Sequence, residues 1–214
     1  MKPLNVNSFW RDIFTFRKES SNYKRSRRDF YEGKNYLSHH ERIKTIIQST
    51  SSRLLNIEKP IKFYGLEFGS TYKVAIRHLG KPNYVTQGKM PVKDLKSIFY
   101  RLNVSGVKCI LQLHFLEKKF FLGVIEISNS IVGQENEISN LVRDKYEIAD
   151  YNWLGLIQDE GANTIELCEG MIKRIIYTSG DPSFKEKLKE QLDKFKNKRQ
   201  KHEHHRNKLI LDMI

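Results

Sequence analysis

The chain has 214 residues, 39% hydrophobic, 11% aromatic and 29% charged, with a formal net charge of +13. That length suits one domain, or one domain with helical extensions, and the aromatic content argues against wholesale disorder. No run approaches the roughly 18 apolar residues of a membrane-spanning helix, and Met1-Lys2-Pro3-Leu4-Asn5 leads into no apolar stretch of signal-peptide type, so a cytoplasmic protein is expected.

Asn7 or Ser8 is placed to cap a short helix with Trp10, Ile13 and Phe14 on one side. From Lys18 to Arg28 the chain turns basic, with Lys18, Lys24, Arg25, Arg27 and Arg28 set among Ser20, Ser21, Asn22 and Tyr23. Ser38 and Glu41 stand at capping-box spacing. They predict a helix over Ser38–Asn56 that buries Ile43, Ile46, Ile47, Leu54 and Leu55 and stops before Pro60.

Ile61 to Leu66 predicts a short strand or extended entry. Gly69 to Leu79 predicts a helix begun at Ser70 or Thr71, with Val74, Ala75, Ile76 and Leu79 apolar. Gly80-Lys81-Pro82 ends it, because glycine takes the left-handed cap cheaply and proline cannot continue the ladder. Three apolar runs follow, Ser97 to Val104, Lys108 to Phe115 and Phe120 to Ile127, with turn candidates Ser105-Gly106 and Glu117-Lys118-Lys119 between them. Connectors this short require antiparallel neighbours, hence a three-stranded meander.

Glu135 to Tyr146 reads as a helix with Ile138, Leu141 and Val142 on one face. Trp153–Ile157, Thr164–Cys168 and Met171–Thr178 read as strands, the last two as a hairpin. Asp181-Pro182 starts the final helix, which carries Phe184, Leu188, Leu192 and Phe195 inward. Beyond Lys196 that stripe fails, and residues 198–208 are basic and His-rich. The predicted fold is α+β: an antiparallel β-meander sheet of five or six strands covered by helices, with basic helical N- and C-terminal extensions. Its segments are 1–60 (basic and helical), 61–180 (α+β core) and 181–214 (helix and basic tail), forming one domain overall.

Gly69-Ser70-Thr71, the short helix after it and Leu79-Gly80-Lys81-Pro82 resemble the opening of the SmpA/BamE-like family, where such a helix precedes a β-meander. The resemblance spans residues 69–127 and implies a small α+β scaffold used for protein–protein contact and not for catalysis.

No motif for a cofactor, metal or nucleophile emerges. Gly65 to Thr71 lacks the Lys-Ser/Thr that follows the last glycine of a phosphate-binding loop. His202, His204 and His205 lack the four-residue spacing of a helical zinc pair, and His39, His40, His78 and His114 have no companions at ligand spacing. Asp144, Glu147, Asp150, Asp159, Glu160, Glu166 and Glu169 read as a solvated acidic face, although a fold can still gather carboxylates into a cleft. Cys109 and Cys168 read as buried free thiols, with a bridge open only if their strands neighbour.

Residues 1–60 hold 13 Lys/Arg against 6 Asp/Glu, 61–130 hold 11 against 4, and 181–214 hold 10 against 6, while 131–180 hold 4 against 9. A basic chain with one acidic block implies an anionic partner. Lys18, Lys24, Arg25, Arg27 and Arg28, with Lys198, Arg199 and Lys201, are the expected polyanion-binding residues. Phe16, Tyr23, Phe30 and Tyr31 beside the first group suit base stacking. With Trp10 and Phe14 upstream, the same stretch suits an anionic membrane surface. The expected function is a non-enzymatic protein-interaction or adaptor role, with nucleic-acid or other polyanion binding as the alternative.

Overall fold

The structure, a computed structural model, describes residues 26–48, 54–87, 92–104, 107–128, 137–148, 156–168 and 172–211. The predicted Trp10–Phe14 helix and Lys18, Lys24 and Arg25 fall outside them. Along the described chain run α1 (Arg27–Lys34), a 3-10 turn (Tyr36–Ser38), α2 (His40–Gln48), β1 (Leu55–Ile57), α3 (Tyr72–Leu79) and β2 (Tyr84–Gln87). Then come β3 (Leu95–Val104), β4 (Val107–Leu116), β5 (Lys119–Ser128), α4 (Glu137–Tyr146), β6 (Leu156–Asp159), β7 (Thr164–Cys168), β8 (Lys173–Thr178) and α5 (Pro182–Leu211).

The α+β class holds, but the sheet is larger than expected and mixed. Eight strands stand in the order β1-β6-β7-β8-β5-β4-β3-β2, antiparallel throughout except for β1 alongside β6. The difference lies at the edges. α2 ends at Gln48, and Leu55–Ile57, expected to close that helix or follow it, pairs in parallel with Ile157–Asp159. A short apolar run fits helical and extended periods equally well, and here sheet pairing decides. At the other edge, β2 follows the Gly80-Lys81-Pro82 stop and pairs with Lys96–Phe99. The start of α2 also differs from the expected capping box. Ser38 closes the 3-10 turn, donating its hydroxyl to the Asn35 carbonyl at 2.7 Å, while the Asn35 side chain accepts from the Leu37 amide at 3.1 Å.

The central meander matches the sequence closely. β3 and β4 pair in register over ten residues, β4 and β5 pair with a register shift between His114 and Phe115, and Glu117 (φ 49°) and Lys118 (φ 70°) form the tight turn between the last two. Both are left-handed, the conformation that matches the twist of a two-residue hairpin. Thr71 caps α3 by accepting from the Val74 amide, and Gly80 ends it at φ 80°.

Both faces of the sheet are covered. On the first, Ile98, Tyr100, Leu111, Leu113, Ile125 and Tyr177 cluster with Ala75 and Leu79 of α3, Phe63 and Leu66, and Val142 and Tyr146 of α4. On the second, Leu95, Leu122, Val124 and Ile176 cluster with Leu37, Ile43 and Ile46 and with Phe184, Leu188 and Leu192 of α5. Tyr31, Phe99 and Ile110 form a smaller cluster that seats α1. Because of this double cover, β4 is buried at every residue from Cys109 to Leu116, which is why only Gln112 and His114 interrupt its apolar run. Cys109 and Cys168 are free thiols on β4 and β7.

The helical stripes are narrower than predicted. Val74, Leu141 and Phe195 are each 44% exposed, so α3 and α4 touch the sheet through two or three side chains, and the α5 contact ends at Leu192.

Phe63 sits where a side chain of Gly123 would stand. A Cβ there would come within 2.4 Å of its ring. Gly123→Ala is therefore expected to destabilise the protein by about 1–3 kcal/mol, the usual cost of overpacking a filled core. Urea unfolding of the variant beside the parent measures it, and an unchanged midpoint contradicts this packing.

Candidate functional site

Several chain segments meet around a cleft of about 570 Å³ at the first turn of α5, lined by residues 60–62, 67–69 and 179–182 and by Lys119 and the β6–β7 turn. Its floor is Asp159, which is only 6% exposed. Asp159 Oδ2 accepts from the Ile61 amide at 2.8 Å and from Asn163 Nδ2 at 3.0 Å, while Oδ1 accepts from the Asn163 amide at 2.8 Å. Asn163 Oδ1 then accepts from the Gly180 amide at 2.9 Å. One carboxylate and one amide thus tie together the chain entering the Phe63–Leu66 hairpin, the β6–β7 turn and the β8–α5 junction. Gly180 is required there, since a Cβ would lie 2.2 Å from the Gly161 carbonyl oxygen.

Lys62, Glu67 and Asp181 of the cleft are also engaged. Lys62 Nζ donates to Glu67 Oε1 at 2.7 Å, and this hydrogen bond holds the Glu67 carboxyl below its ordinary range. Asp181 Oδ1 accepts from the Ser183 amide at 2.9 Å, capping α5 as the sequence predicts. The Ser183 hydrogen bonds likewise hold the Asp181 carboxyl low. A general acid needs a carboxyl whose pKa is raised toward working pH, and a general base needs a free lone pair. Glu67 and Asp181 are pushed the opposite way, and Asp159, with three donors on its oxygens, keeps about one of its roughly four lone-pair sites. With Lys62, Lys119, Phe68 and Phe184 beside them, these groups make a surface suited to holding a ligand.

Of the predicted polyanion-binding residues, Arg27 and Arg28 lie exposed on α1. Arg27 donates to the Asn83 carbonyl, and Arg28 Nε donates to Glu32 Oε1 at 2.8 Å. Lys198, Arg199 and Lys201 fall on α5, with side chains outside the description, as are those of His202, His204 and His205. Asp150 and Glu169 of the acidic block are outside it too. The block's other carboxylates scatter: Glu147 accepts from Lys59 at 3.0 Å, Asp159 floors the cleft, and Glu166 stands on β7. Among the described residues no group of three His, Cys, Asp or Glu is placed to hold a metal ion, and no helix is long and apolar enough to cross a membrane. His78 Nε2 donates to the Tyr64 carbonyl at 2.7 Å. His114 is fully buried, its Nδ1 in a 2.7 Å hydrogen bond with the Ser97 hydroxyl of the facing strand.

Sequence reading missed one further polar cluster. Glu126, 1% exposed at the end of β5, accepts from Lys34 Nζ at 2.5 Å and from Arg174 Nε at 3.4 Å. Beside it Gln112 binds the chain at both ends of its amide, accepting from the Tyr36 amide at 2.7 Å and donating to the Lys34 carbonyl at 2.9 Å. A signal for it exists: strand parity places Glu126 on the same side as Leu122 and Val124, a charge in an inward position. No family model matches this chain, and neither a curated protein nor a solved structure does.

Two outcomes follow from these buried groups. Asp159→Ala leaves the Ile61 and Asn163 amides without their acceptor and is expected to cost about 2–5 kcal/mol in urea unfolding, well above a surface substitution. Burial holds His114 down to about 3 from an ordinary 6.5. Between those values the unfolded chain binds a proton that the native chain refuses. Stability contributed by neutral His114 is therefore complete above pH 6.5 and falls by about 1.4 kcal/mol per pH unit on acidification toward 3. Comparing the parent with His114→Gln from pH 7 to 4 should show the steeper loss of stability in the parent; equal slopes contradict it.

Proposed function

We propose that this protein is a non-enzymatic interaction protein, an adaptor that presents α5 to a partner with an acidic surface. The exposure of α5 past its third turn carries this reading. Phe184, Leu188 and Leu192 seat the start of the helix, whereas Asp193, Lys194, Phe195, Lys196 and Asn197 are all exposed. Five consecutive exposed residues circle the helix more than once, so no wall of the described protein touches it there. At 30 residues α5 is about 45 Å long. A helix polar on every side is characteristic of a span between bodies. Its outer part holds Lys198, Arg199, Lys201, Arg206 and Lys208 against Glu203, and Phe195 adds an apolar anchor among lysines.

The likeness of residues 69–127 to the SmpA/BamE-like scaffold supports a contact role, as do the lowered carboxyls of Glu67 and Asp181 in the cleft. The free thiols Cys109 and Cys168 suit a reducing cytoplasm, where we place this role. A second reading, binding of nucleic acid or another polyanion, is favoured by the same outer cations together with Lys18, Lys24, Arg25, Arg27 and Arg28.

Fluorescence anisotropy with labelled poly-glutamate and with a DNA duplex tests both readings on the full chain and on its Lys198→Gln, Arg199→Gln, Lys201→Gln triple variant. Glutamine keeps the helix propensity. The adaptor reading expects poly-glutamate binding that the variant loses while its melting temperature holds. The polyanion reading expects tighter duplex binding, with each neutralised phosphate adding about −0.9 to the logarithmic salt slope. Equal binding by parent and variant overturns both.

A further inference from the structure

Among the described residues, the second face of the sheet gathers more positive charge near Glu126 than the carboxylates there balance. Lys34 at the end of α1, Arg42 of α2 and Arg174 of β8 surround the nearly inaccessible Glu126. The second carboxylate near them is Glu166, whose field reaches Tyr36 together with those of Arg42 and Arg174. Among the described residues, three cations thus face two anions.

The two guanidiniums are the unspent part of this group. Arg42 lies over the Tyr36 ring at 5.1 Å from its centroid, and among the described residues no carboxylate pairs with it. Burial and then the charge of Arg174 lower its pKa, so the two groups are close enough to repel each other in a partly desolvated place. Arg174 uses Nε for Glu126, which leaves its two terminal nitrogens without a hydrogen-bond partner among the described residues. Its side chain keeps 19% exposure, and that of Lys34 keeps 29%, so solvent reaches the group. Meanwhile Lys34–Glu126 and Gln112 hold α1, the 3-10 turn and β5 at fixed spacing beneath it.

We propose that Arg42 and Arg174, backed by Lys34, form a binding site for the phosphoryl group of a small ligand. Planar guanidinium forks donate in pairs to adjacent oxygens of an oxyanion. A phosphoryl group has enough oxygens to engage both forks at once and screens the repulsion between them. The site is separate from the outer half of α5 and does not depend on the adaptor reading. The same chemistry fits free phosphate and the terminal phosphates of a nucleotide.

Calorimetric titration of the full chain at fixed ionic strength, with inorganic pyrophosphate, ADP and adenosine, tests it. Pyrophosphate and ADP should bind and adenosine should not; ADP binding tighter than pyrophosphate assigns a nucleotide, and the reverse assigns free phosphate. Arg42→Gln should weaken binding about tenfold or more, the scale of one lost charge-assisted hydrogen bond. Arg42→Lys, which keeps the charge and loses the fork, should weaken it with an unchanged melting temperature, so a folding defect in the first variant does not decide the matter. The triple variant of outer α5 should bind like the parent. Absence of heat with both phosphate compounds overturns the proposal. So does parent-like affinity in both Arg42 variants, or loss of binding in the α5 variant alone.

Discussion

The pairing of β5 with β8 is the contact on which the rest of the structure depends. Leu122 to Ile127 of β5 stand opposite Thr178 to Lys173 of β8, and this ladder is where the first four sheet strands meet the other four. Its residues alternate between two jobs. Gly123 and Ile125 face α3, the Phe63 hairpin and α4, with the missing side chain of Gly123 making room for the Phe63 ring. Leu122, Val124 and Glu126 face the other way, two of them apolar under α2 and α5 and the third an ionic anchor for α1. A shift of one residue in this ladder would put Glu126 into the apolar first face and Phe63 against a side chain. Register is therefore specified from both sides.

The order of the elements is also alike on the two sides of that seam. On one side α3 precedes β2, β3, β4 and β5; on the other α4 precedes β6, β7 and β8. Each half ends in the strand that forms the seam, and both helices pack on the first face. The halves differ most at their outer edges. β2 arrives from the loop after α3 and runs antiparallel to β3, whereas β1 comes from far upstream and runs parallel to β6. The segment before β1 also joins this body, since Ile43 and Ile46 of α2 bury against Leu188 and Leu192 of α5.

Signals that are local in physics were legible in the sequence. Thr71 and Gly80 bracket α3 because a cap and a left-handed stop act within one turn, and Asp181 begins α5 for the same reason. The meander was legible because short connectors leave the chain no other way to return. What was hidden depends on distant partners. Leu55 carries no mark that separates a helix end from an edge strand until β6 lies beside it. Phe195 continues a helical stripe, but the wall that stripe packs against ends at Leu192. The cleft draws its lining from segments more than 100 residues apart, from Pro60 to Phe184, and no window of sequence contains it. Asp159 belongs to a block that reads as a solvated acidic face, and its burial follows only from the amides of Ile61 and Asn163 closing over it.

Charge on this protein divides by depth, and the division constrains what recognition it can perform. On helix surfaces Arg28 pairs with Glu32, Lys44 with Glu41, Lys194 with Glu190 and Lys196 with Asp193. Such pairs contribute about 0.3–0.5 kcal/mol each and yield readily to solvent or a competing partner. Among the described residues the carboxylates of the acidic block are held by different partners, Glu147 by Lys59, Asp159 by backbone and side-chain amides and Glu166 beside Cys168. The net charge of +13 therefore acts as a diffuse attraction that raises encounter rates with any anion. Selectivity needs cations whose positions the fold holds. Lys34 and Arg174 are fixed by Glu126, and Arg42 is fixed by the Tyr36 ring. Diffuse charge gathers partners, and only a fixed arrangement of this kind can tell one anion from another.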